Sequence, residues 1–230
     1  MKKRMPRFLL SLALGAGVVT ASAAATKSAQ RLADAATVFT EIMDTPDRAI
    51  PQDLIERAQC VAIVPGLKKA AFGFGGKFGR GFVVCRNSGA GWGAPAAIRV
   101  EGGSAGFQIG VSSSDVVMLV MNKRGMEKLL GSRFTIGADA QAAAGPVGRE
   151  ATAATDVLLS AEILSWSRSR GAFAGVSLDG ATLRQDADEN KEIYGKPLEN
   201  RDLIGKDVEI PPAAAALIAA LNKRSMRSGK

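Results

Sequence analysis

The stretch Lys69–Gly110, which from Ala70 onward reads AAFGFGGKFGRGFVVCRNSGAGWGAPAAIRVEGGSAGFQIG, decides the fold. Glycines at short intervals separate Phe72, Phe74, Phe78, Phe82, Val83, Val84, Ile98, Val100, Phe107 and Ile109. Apolar runs broken at Asn87–Gly93 and Glu101–Gly103 predict strands joined by tight turns. Glycine within a strand marks a bulge, a bend or the close approach of another backbone. The expected product is a curved, tightly packed antiparallel sheet. A one-sign charge pattern overlaps it. From Arg57 to Val100 the chain carries Arg57, Lys68, Lys69, Lys77, Arg80, Arg86 and Arg99 and no acid.

Working outward, Met1–Ala25 has the layout of a secretory leader: the basic MKKRMPR, the apolar Phe8–Val19, then small residues Ala21–Ala25 suited to cleavage. An uncleaved anchor is the alternative. Thr26–Met43 has helical spacing, with Leu32, Ala35, Phe39, Ile42 and Met43 on one side, and reads as packed on the domain rather than lying on a membrane. Pro51–Ala58 is a short helix, and Cys60–Val64 a buried strand closed by Pro65-Gly66. Asp115–Met121 is a continuous apolar run, as in a central strand. Asn122 caps a helix through Leu130. Phe134–Ala138 is a short strand, and Ala140–Val157 an extended pair or a poor helix. Leu158–Ser169 and Ala172–Leu178 are two further strands. Asp179-Gly180 turns the chain toward Ala181–Leu183. Asp186–Tyr194 is a helix ended at Gly195, its acids Asp186, Asp188 and Glu189 read as a solvated start. An alanine-rich helix at Pro211–Asn222 precedes a basic tail. The predicted class is α+β: a curved, largely antiparallel glycine-rich sheet with peripheral helices, a closed small barrel being the alternative. The predicted organisation is a signal peptide (1–25), one domain (26–205), and a terminal helix with its tail (206–230).

The chain has 230 residues and a net charge of +8. Eight of the 30 bases lie in the leader (Lys2, Lys3, Arg4, Arg7) and the tail (Lys223, Arg224, Arg227, Lys230), leaving 22 to balance 22 acids. A general nucleic-acid binder is therefore excluded, and the positive charge is local. Histidine is absent, which removes imidazole catalysis and the commonest transition-metal ligand. GFGGKFG lacks the Gly-Lys-Ser/Thr ending of a phosphate loop. No catalytic residue, metal site or cofactor is expected. Cys60 and Cys85 form a disulfide in an oxidising compartment or stand as two buried thiols.

Several stretches then match a family: AAFGFGGKFGRG (70–81), GWGAPAAIRVEGGSAGFQIG (91–110), DVVMLVMN (115–122), GADAQAAAGPVGRE (137–150) and SWSRSRGAFAGVSLDGA (165–181). Together they resemble a SYLF domain, a family also known as an actin-binding domain after its yeast members, over roughly Ala29–Gly205. The resemblance implies a non-enzymatic lipid-binding module for acidic phospholipids and phosphoinositides, with actin bound by some yeast relatives. Bases beside alternating phenylalanines suit anionic headgroups and shallow acyl chains. The lipid-binding candidates are Lys68, Lys69, Lys77 and Arg80 with Phe74 and Phe78, joined by Arg168 and Arg170. The alternatives are core phenylalanines, a solvated basic face, and for Arg168 and Arg170 an ion pair with Asp156 or Glu162. The expected partner is an anionic lipid or membrane surface at the envelope of an exporting cell, with a protein partner as the second reading.

Overall fold

The structure, a computed structural model, describes residues 26–46, 49–87, 91–147, 160–169, 172–176 and 178–225. The expected leader and the end of the basic tail lie outside these residues. Helix α1 (Lys27–Asp44) opens at Thr26, whose hydroxyl accepts a hydrogen bond from the Ala29 N–H at 3.2 Å. That satisfies one of the first-turn donors left without a partner in the helix. Leu32, Ala35, Phe39, Ile42 and Met43 are buried, so α1 packs on the domain as its spacing predicts. Helix α2 (Gln52–Arg57) follows Pro51.

Strands β1 (Cys60–Cys85) and β2 (Ala96–Val120) form one long antiparallel ribbon, from Cys60 opposite Val120 to Val83 opposite Ala96. Two expectations change here. Pro65-Gly66 does not close a strand; it forms a bulge, the register slipping between Val64 and Leu67 with Gly66 at φ 59°. Glu101–Gly103 is not a turn but runs extended opposite Gly76–Phe78. Glycine weakens a strand without forbidding it, and the continuous ladder overrides the local turn signal.

Asn122 caps helix α3 (Lys123–Leu129), its side-chain oxygen accepting from the Gly125 N–H at 2.8 Å. Short strands β3 (Arg133–Thr135) and β4 (Ala142–Ala144) follow. Within the ambiguous Ala140–Val157 stretch, the described residues thus form a strand that stops before Gly145-Pro146. Strand β5 (Ile163–Ser169) is shorter than expected, as is β6 (Ala172–Gly175). The Asp179-Gly180 turn, with Gly180 at φ 76°, leads into β7 (Thr182–Gln185). Helix α4 (Ala187–Tyr194) ends at Gly195 in the left-handed region, φ 68°, a conformation glycine adopts without a Cβ clash. Helices α5 (Asn200–Leu203) and α6 (Ala215–Ser225) complete the chain. Only β4 and β5 pair in parallel among the described strands.

The ribbon curls until its two ends meet. A disulfide joins Cys60 to Cys85 across 3.9 Å between Cα atoms, and the Arg86 N–H donates to the Gln59 carbonyl at 2.8 Å. Gly81 lies directly against the Ile63–Val64 backbone. Inside the curl, Val64, Leu67, Val83, Ile98 and Val100 form a core closed by Leu129, Phe134 and Leu183. Outside it, Val61, Ile63, Phe82 and Val84 pack under α1 and α6. The result is the predicted α+β architecture with a strongly curled, half-barrel, mostly antiparallel sheet.

Candidate functional site

Among the described residues, the two cores hold only the ends of the ribbon. Among the described side chains of β1, buried positions stop at Leu67 and resume at Gly79. Between them Lys68–Phe78, paired with Glu101–Ser113, forms a two-stranded arm. On β2 the pairing with β7 ends at Glu101 and that with β5 begins at Asp115. The register slips in the middle of the arm, where β2 has three residues between Ala105 and Ile109 against the single Gly73 of β1, an irregularity of the kind that bends a ribbon.

Alternation along the strands assigns the side chains to faces. Lys69 continues the inner face from Leu67, and Lys77 shares that face with Gly79, Gly81 and Val83. Lys69 therefore looks across the bend toward Lys77. Burial lowers the pKa of the Lys69 ammonium, and the charge of Lys77 lowers it further. Among the described residues neither has a carboxylate partner, nor does the exposed Lys68. The outer face carries Lys68, Phe78 and Val111, the last two 48% and 83% exposed.

Of the eight candidates, then, Lys69 and Lys77 come together, while Lys68 and Phe78 share the opposite face of the same arm. The Phe74 backbone pairs with Ala105 in the arm; its side chain, and the whole of Arg170, lie outside the description. Arg80 points its Nε at Asp186 Oδ2, 3.3 Å away, and Arg99 approaches the same oxygen at 3.8 Å. Arg168 sits at the foot of the arm, donating from Nε to Asp115 Oδ2 at 2.8 Å and from a terminal nitrogen to Glu41. Among the described residues its ion-pair partners are Asp115 and Glu41; Asp156, the other partner expected, lies outside the described residues. Glu162, one of the two partners expected, is instead held by Arg124 and Lys128. Asp115 Oδ1 also accepts from the Gly66 N–H at 2.9 Å, tying Arg168 to the bulge. Arg86, counted in the basic run, is buried. It donates to the Ser225 carbonyl at 2.7 Å and lies 3.9 Å from the Trp92 ring centroid, clamping the end of α6.

Of the three acids opening α4, Asp188 is exposed as expected, whereas the other two are not solvated. Asp186 and Glu189 are each 2% exposed. Asp186 caps α4 and gathers Arg80 and Arg99, while Glu189 is bound by Arg31 of α1. These bases come from three distant parts of the chain, and no local pattern in ADENKEIY announces them. Burial raises the pKa of the Glu189 carboxyl in spite of Arg31. The folded state therefore binds more protons than the unfolded chain as pH rises from the ordinary value of 4.5. Stability contributed by this group is present below that pH and is lost as pH climbs through the raised value. Relative to Glu189→Gln, the wild type should lose stability across that interval; paired urea titrations from pH 4 to 7 measure the difference. A difference that stays flat or grows with pH would contradict the assignment.

The fold and arm define the class: an α+β half-barrel carrying a basic, glycine-rich ribbon. Residues 101–224, just over half of the chain, match the model of the Ysc84 family, described as Las17-binding protein actin regulator, and the chain belongs to that family. Lys68, Lys69 and Lys77 lie ahead of the matched span. The chain is 33% identical over 184 residues to Protein YSC84 of Saccharomyces cerevisiae, covering 78% of this chain and 39% of that protein. It is 34% identical over 187 residues to the Homo sapiens SH3 domain-containing YSC84-like protein 1, covering 80% and 54%. LAS seventeen-binding protein 3 of S. cerevisiae is 33% identical over 184 residues, covering 78% and 39%. The chain thus spans 39% to 54% of the length of these relatives. One of them is named as a binding protein and another as SH3 domain-containing, and none is named as an enzyme.

Proposed function

We propose that the arm binds anionic phospholipid at an envelope membrane, without catalysis. The observation that carries this reading is Lys69 facing Lys77 with no carboxylate partner among the described residues, so that an anionic group would relieve the repulsion. Phe78 and Val111 are exposed on the same arm and suit shallow acyl contact. A Lys near an anionic surface contributes about 1 kcal/mol, so the three lysines together supply about 3 kcal/mol, roughly 10²-fold in affinity. We also propose that the chain is exported after cleavage near Ala25; the Cys60–Cys85 bond suits an oxidising compartment.

The test is sedimentation with anionic and neutral vesicles. Replacing Lys68, Lys69 and Lys77 with glutamine should weaken binding to anionic vesicles about 10²-fold and remove most of its salt dependence. Arg80 is left in place, because its loss would strip a partner from buried Asp186. Replacing Lys223, Arg227 and Lys230 of the tail should change little. Loss of binding in the tail variant but not in the arm variant would sink the proposal.

The second reading is that the arm docks a protein. It is favoured by the family description, Las17-binding protein actin regulator. Equal binding to both vesicle types, or binding to neither, would support it over the first.

A further inference from the structure

We infer that the outer edge of β2 along the arm accepts an extended acidic peptide as an added strand. This rests on the second reading, that the arm docks a protein, and names the chemistry of the partner. Three observations carry it. Among the described strands, none pairs with the outer edge of Gly102–Ser114, since β7 stops at Glu101 and β5 starts at Asp115. Sheet edges are ordinarily guarded by charges, prolines or bulges. Residues 102–114, GGSAGFQIGVSSS, contain no charged residue and no proline. The bend leaves Ile109–Ser114 beyond it as a regular six-residue run, an ordinary strand length.

The charge of the neighbouring strand selects the occupant. Lys68 and Lys69 stand opposite Ser113 and Ser112, and Lys77 opposite Gly102. Across such small residues a lysine side chain can lie over β2 and reach a strand placed on its far side. Added strands gain affinity from backbone hydrogen bonds and specificity from alternate side chains. Acidic side chains on one face of the added strand would therefore meet Lys69 and Lys77, and on the other face Lys68. A second copy of this chain is disfavoured at this edge, because its own lysines would be brought alongside.

The probes are two end-blocked decapeptides of equal length and charge, alternating Glu-Val and alternating Glu-Pro. Proline removes every second N–H and cannot continue a ladder. The Glu-Val peptide should bind at least tenfold more tightly and slow amide exchange at Ile109–Ser114, read by NMR. Ser112→Glu with Ser113→Glu, both exposed positions, would neutralise Lys69 and Lys68 from within. That variant should keep the wild-type fold and lose at least tenfold in peptide affinity. Equal affinity for the two peptides would retain protein docking but overturn strand addition. Failure of both to bind would overturn the docking reading as well. Protection of Ile109–Ser114 by anionic vesicles and not by peptide would make this edge a membrane surface, and so overturn the inference.

Discussion

Replacing Gly81 with alanine is expected to cost more than about 4 kcal/mol, a large part of the roughly 5–15 kcal/mol that holds a domain together. A Cβ at this position would lie 2.0 Å from the Ile63 carbonyl oxygen and 2.8 Å from the Val64 Cα. Both are backbone atoms of the same strand, brought back by the curl, and neither can rotate away as a side chain can. The crossing would have to open, separating Val64 and Leu67 from Val83 in the inner core. Gly76→Ala is the control: a Cβ there meets nothing within 4 Å, so the change should stay within about 0.5 kcal/mol. Urea unfolding of the two variants decides the matter. A Gly81→Ala protein with the wild-type midpoint would show that the strand ends do not cross as described.

Removing the Cys60–Cys85 bond should cost about 3 kcal/mol. The bond closes a loop with a sequence separation of 25 residues, and the chain-entropy account of a loop that size gives a value in this range. For a domain of this length the loss corresponds to a fall in Tm of roughly 6–12 °C. The comparison is between the wild type and the Cys60→Ala, Cys85→Ala double variant, both melted without reductant. The bond stabilises the same closure that Gly81 permits, so the two effects should not be additive. If the double variant melts with the wild type, the ladder contact from Arg86 to Gln59 and the two cores suffice to keep the ribbon closed.

Much of the architecture was legible locally. Asn122 caps the helix it precedes, and the helix starts at Thr26 and Asp186 and the stop at Gly195 were readable to within a residue, because helix ends depend on groups within a turn of the chain. Helix α1 follows its apolar spacing and packs where that spacing points. The seam of β2 at Asp115–Val120 was visible as an unbroken apolar run because it is flanked on both sides, by β1 and β5. The family was legible as well, since its motifs are contiguous and occur in order.

What the sequence determined by itself, then, is the α+β class, a curved glycine-rich sheet, the helix ends and a basic stretch without acids. Only the tertiary structure decided which bases face one another. The bulge at Pro65-Gly66 inserts one residue into β1, and a one-residue slip reverses the faces of everything beyond it. Counting alternation from Cys60 would therefore place Lys69 on the wrong side of the sheet. Long-range pairing made the remaining assignments. Arg80 is held by Asp186, and Arg168 by Asp115 and Glu41, residues far along the chain that meet only when the ribbon has curled and α1 and α4 have docked. Lys69 and Lys77 are left facing each other, and among the described residues no carboxylate pairs with either.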